Sequence, residues 1–167
     1  MGESTTARFG LPLLHAGQAQ KELDHNEALA LLDLAVQPVV RAIGVNEPPS
    51  DPGEGDCWLV GDAPVGAWSG NAQALAGWTA GGWRFVVPRH GMAVFHAGDQ
   101  LTARHDGTGW IVGTVHASRL RIGDHDVLGA QQAPIADPAG GGVVDGEARE
   151  AVIAVLNALR SHGLIGS

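Results

Sequence analysis

The sequence predicts an α+β protein: an N-terminal helical hairpin, a small antiparallel β domain and a C-terminal helix. Three observations carry that expectation. Apolar residues recur at three- and four-residue steps near both ends of the chain. Short β-branched and aromatic runs fill residues 56 to 121, separated by Gly-rich turns. Finally, 25 glycines in 167 residues call for many tight turns. With 44% hydrophobic residues the chain suffices for one modest core and is unlike a disordered protein. The expected boundaries are an assembly segment over 1–45, the β domain over 46–122, and an extended linker with the terminal helix over 123–167.

Residues 16 to 23 hold Ala, Gln, Lys, Glu and Leu, all favourable in a helix. Asp24 followed by Glu27 resembles a capping box and predicts the start of a second helix. In that helix Leu29, Leu32, Val36 and Val40 share a face, widened by Leu31, Leu34 and Val39 into a stripe too broad for a solvated helix. Pro38 bends or ends it, and VNEPPSDPGEGD is a loop by composition. Six strand-like runs follow: CWLVG, WRFVVP, MAVFHA, QLTARH, WIVGTV and SRLRI. The phrases GWTAGGWRFVVP and HDGTGWIVGTV echo one another weakly, as successive hairpins would.

After Arg121 the stretch GDHDVLGAQQAPIADPAGGG has no periodicity and is expected to run extended. The last helix is the clearest. Asp145 is a good N-cap, Glu147 suits the positive end of the dipole, Arg160 and His162 suit the negative end, and Gly163 is placed to stop it. Its stripe of Ala148, Val152, Val155 and Leu159, with Ala151, Leu156 and Ala158 beside them, needs a partner, either the β unit or the same helix of another copy.

The formal charge of −8 comes from 18 acidic against 10 basic residues, and Lys21 is the lone lysine, so no cationic strip exists to neutralise phosphates. Nucleic acid is therefore not an expected partner. The single cysteine, Cys57, forms no internal disulfide and reads as a small buried hydrophobe. The start MGESTTARFG is no signal peptide, and no run approaches the ~18 apolar residues of a membrane span. The expectation is a soluble chain made in the cytoplasm, with no membrane partner.

The histidines are scattered without metal-ligand spacing. Asp124, His125 and Asp126 read as a solvated turn. A nucleophile elbow and a phosphate loop are both lacking. No catalytic residue, metal or cofactor is expected, and the chain is read as a non-enzyme. Trp58, Trp83 and Trp110 lie in strand-like runs and are expected in the core. Trp68 and Trp78 stay open between core and sugar-stacking roles.

The blocks GLPLLHAGQAQKELDHNEALALLDLAVQPVV, PPSDPGEGDCWLVG, GAWSG, LAGWTAGGWRFVVPRHGM and DGTGWIV resemble a phage-associated domain family found in prophages and in alphaproteobacterial gene transfer agents. This likeness covers about residues 8 to 112, and AGQAQKE with HNEAL is its specific part. The tail ADPAGGGVVDGEAREAVIAVLNALRSHGLI is similar to the closing segment of phage head-fibre and tail-fibre proteins. Together they resemble gene transfer agent head spike proteins.

The resemblance implies a structural virion component on the capsid surface that assists adsorption to the recipient's capsular polysaccharide. Base and fibre are both open, and the short chain favours the base. The implied partners are the capsid protein, another spike or fibre subunit, and further copies of the chain as a pentamer or trimer. Leu29, Leu32, Val36, Val152, Val155 and Leu159 are the expected oligomer or partner contacts. The runner-up is a carbohydrate-binding tail-fibre or adhesin module contacting glycan through Trp68 or Trp78.

Overall fold

The computed structural model describes residues 5–15, 17, 21–143 and 145–166. These divide into two compact units, residues 1–114 and 115–167.

In the first unit the helix α1, Lys21–Ala35, precedes two very short strands, β1 (Val39–Val40) and β2 (Ile43–Val45). Next come β3 (Cys57–Val60), a 3-10 turn at Gly66–Trp68, β4 (Leu75–Thr79), β5 (Gly82–Val86), β6 (Ala93–His96), β7 (Leu101–His105) and β8 (Trp110–Val112). They form two four-stranded sheets, ordered β2-β3-β4-β5 and β1-β6-β7-β8. Each is a three-stranded antiparallel meander with one short strand added in parallel, β2 beside β3 and β1 beside β6. The expected purely antiparallel domain is thus corrected to two mixed sheets. The reason is local: the chain leaving α1 passes both meanders within a few residues and gives each a strand. The sequence echo marks equivalent places, since Gly82-Trp83 and Gly109-Trp110 each open the third strand of a meander.

The expected helical hairpin is also corrected. A single helix is seen among the described residues of the N-terminal segment; of the expected first helix, residues 16 and 18–20 lie outside them, and Lys21–Leu23 open α1 itself. Asp24 is therefore inside the helix rather than its cap. The stop at Ala35 fits Pro38, with Gln37 at a φ of 43° making the turn.

α1 packs on β4 and β5. Its Leu34 joins Val40, Cys57, Leu59, Leu75, Val94 and Ala103 in one core cluster that draws on both sheets. Gly77 lets it do so: a Cβ there would fall 2.3 Å from Leu34 Cδ2. Trp58, Val60, Trp68 and Ala76 make a second cluster, with Trp83 and Phe85 packed against it. Cys57 and Leu59 face one cluster, Trp58 and Val60 the other, which is why CWLV is apolar without alternation and buried throughout.

In the second unit a hairpin of β9 (Leu120–Ile122) and β10 (His125–Leu128) leads to an extended run and the helix α2, Gly146–Ser161. Asp145 caps α2 as expected, its carboxylate accepting from Ala148 N at 3.0 Å. Gly163, at a φ of 69°, closes it: Gly163 N donates to Arg160 O and Leu164 N to Leu159 O, the two bonds of a Schellman motif. The inward face is centred on Leu156, at the flank of the expected stripe, with Leu159 half-buried, rather than on Val152 and Val155. Leu156 is buried, Arg149 donates to Gly140 O, and Arg160 bonds Asp137 Oδ1 at 2.9 Å and Ile135 O. α2 thus holds its own extended segment, while Val152 and Val155 stay 47% and 60% exposed.

Candidate functional site

The segment before α1 runs back along it as a strap, held by polar side chains of the helix. Asp33, 3% exposed between two leucines, accepts from Thr6 Oγ1 (2.7 Å), Phe9 N (2.7 Å) and Arg8 N (2.9 Å). Arg8 returns the favour at the helix C-terminus, its guanidinium donating to Asp33 O, Val36 O (3.1 Å) and Gln37 O (2.7 Å). These are carbonyls that α1 cannot satisfy internally, and the cation complements the negative end of the dipole. Further along, Asn26 pairs with the backbone of Leu14 through both ends of its amide, at 2.9 and 3.0 Å. On the other side of α1, Glu27 receives Arg84 Nε of β5 at 2.7 Å.

Between strap, helix and the β4–β5 hairpin lies a cleft of about 250 Å³. Its walls are Leu13, Leu23, Ala30 and Leu34 on the apolar side and Glu27, Asp33, Glu54 and Arg84 on the charged side. Leu23 is 66% exposed. The turn bearing Glu54 is fixed to β4, Gly55 N donating to Trp78 O at 2.8 Å and Trp78 N to Asp56 O at 3.0 Å.

Trp68 cannot contact glycan: it is 0% exposed, and its Nε1 meets no acceptor, so packing alone holds the ring. Trp78 is half-buried, its ring edge-on to Trp83 with centroids 5.1 Å apart. Trp83 also touches Trp58 and Trp68 at 5.5 and 5.1 Å, making one aromatic cluster. Trp58 is buried; Trp83 and Trp110 are half-buried against the core, Trp110 Nε1 donating to Gln73 O at 2.8 Å. Among the expected assembly residues, Leu32 on α1 and Val36 just beyond its end are exposed, as are Val152 and Val155 on α2, while Leu29 and Leu159 are half-buried.

Cys57 lies in the core, and burial pushes its thiol up to about 11. Asp106 turns the β7–β8 hairpin, and bonds from Thr108 N, Gly109 N and Thr108 Oγ1 hold its carboxyl well below the usual range. Asp126 bridges Arg119 and Arg121 across the β9–β10 hairpin. No group of three or more His, Cys, Asp or Glu among the described residues is placed to hold a metal ion. None of their helices is long and apolar enough to cross a membrane.

Sequence reasoning missed Arg8, Asp33 and Arg84. One signal was available: a carboxylate inside LLDLA, amid an apolar face, must find donors if that face is buried.

Fold and site together define an α+β module of two mixed sheets with a strapped helix and a preformed cleft. The chain belongs to the family described as Protein of unknown function (DUF2793), whose model matches residues 25–111. That span takes in most of α1, both sheets and the aromatic cluster. No curated protein matches the chain.

Proposed function

We propose that this chain is a non-catalytic structural component of a phage-like particle, a gene transfer agent head spike protein. In this reading it is the base attached to the capsid, it works as a homo-oligomer with capsid and spike or fibre subunits as partners, and it assists adsorption to the host surface. The sequence resemblance supports the phage association. The observation that carries assembly is the second unit's surface. Its buried hydrophobics among the described residues are Leu156 and Ile165, whereas Leu120, Ile122, Val127, Leu128, Val152 and Val155 are exposed. Neighbours in an assembly supply the missing cover.

The test is particle isolation from a producing strain. The chain is expected to co-sediment with capsids and to account for density on the capsid surface that a deletion strain lacks. A chain left wholly in the particle-free fraction overturns the reading.

A second reading, direct binding of capsular polysaccharide, has one favourable observation: Trp78 is half-exposed on an aromatic cluster. It requires that polysaccharide alter tryptophan fluorescence and that Trp78→Phe abolish the change.

A further inference from the structure

The cleft between strap, α1 and the β4–β5 hairpin has an uneven supply of free groups. Nearly all of its polar side chains are already engaged. Asp33 is taken by the strap, Asn26 by the Leu14 backbone, and Glu27 by Arg84. The Thr79 hydroxyl donates to Gly82 O and accepts from Gly81 N. Among its charged side chains Glu54 is the exception: exposed, and without a donor among the described residues; Thr5 and the Trp78 indole also line the cleft. Three carboxylates and one guanidinium line the cleft, so its field favours a cation. The rest of the wall is apolar, with Leu23 left largely open.

Trp78 gives the wall one indole face, but a sugar's hydroxyls ask for several free polar groups converging on them, and Glu54 is the single charged group left free among the described residues. An alkyl chain ending in a charge is well matched. At about 250 Å³ the space lies just below the roughly 300–1,000 Å³ of ordinary small-molecule pockets and suits one extended side chain. The strap is pinned at both Asp33 and Asn26, so the space is formed before anything enters it.

We propose that this cleft receives a basic side chain, lysine or arginine, presented by a partner polypeptide, with the alkyl stem against Leu13, Leu23 and Ala30 and the cationic head at Glu54. The proposal goes beyond the particle reading and does not depend on it.

The test is a titration of the isotope-labelled full chain followed by the amide resonances of Leu23, Gly55 and Gly81. The probes are the capped peptide acetyl-Gly-Lys-Gly-amide, its norleucine counterpart, n-butylammonium and methyl glucoside. The lysine peptide is expected to shift all three resonances and to bind about fivefold more tightly than the norleucine peptide, the upper range for a part-exposed ion pair. Glu54→Gln, at an exposed position, is expected to erase that difference and leave norleucine binding unchanged. Equal binding of the two peptides overturns the proposal in favour of a purely apolar groove. Shifts with glucoside but not lysine, with butylammonium but not the lysine peptide, or with no probe at all, overturn it as well.

Discussion

Asp33 sits between Leu32 and Leu34 and places a carboxylate where the helix would otherwise be apolar. Both its oxygens accept hydrogen bonds, so Asp33→Asn turns one acceptor into a donor facing an N–H. The expected loss is about 2–3 kcal/mol, read from urea denaturation. Gly77→Ala is expected to cost about 1–3 kcal/mol in the same measurement, because Leu34 is 1% exposed and has nowhere to retreat. Cys57 makes a pH-dependent prediction. A folded-state value raised from 9.0 to about 11 means that stability is fully present below pH 9 and falls as the pH rises toward 11. Native protein is expected to resist thiol reagents at neutral pH and to react once denatured. Asp106 has the opposite sign: its contribution is present above the ordinary carboxylate range and is lost as the pH falls below it. A carboxyl titration followed by NMR is expected to place its midpoint below that of a free aspartate.

At the scale of elements, α2 was legible in full because every signal that defines it is local. Asp145, Glu147, Arg160 and Gly163 all act within a turn of the residues they cap. Asp145→Ala is expected to cost about 1 kcal/mol of helix stability, read as earlier thermal loss of the helical dichroism signal. The strands β3 and β5 to β9 fall within the six runs whose composition announces them. β4 was hidden by Gly77, a residue that weakens a strand pattern and is there for Leu34. β1 and β2 were hidden by brevity, since two or three residues carry no period. The strap was illegible because its anchors lie 12 to 27 residues apart and depend on α1 packing first.

For the molecule as a whole, the open apolar side chains of the second unit set the strongest expectation. Light scattering of the purified chain is expected to give a mass above that of one copy. Paired Val152→Asp and Val155→Asp substitutions are expected to return it to one copy while the tryptophan fluorescence of the first unit is unchanged. A wild-type chain that is monomeric at all concentrations removes the homo-oligomer from the proposed function. Leu32 on α1 and Val36 just beyond its end are exposed in the first unit, and Asp substitutions there test whether it also takes part.

The sequence by itself determined the α+β class, the strand-rich middle and the capped terminal helix, because composition, local periodicity and short-range capping are written in neighbouring residues. Only the tertiary structure decided that Trp68 is core, that two meanders share strands drawn from one linker, and that an aspartate in a leucine-rich helix anchors a strap and so shapes a cleft. Those outcomes depend on which distant groups arrive within hydrogen-bond or van der Waals range, and a buried polar group announces only that it needs a partner, not which one.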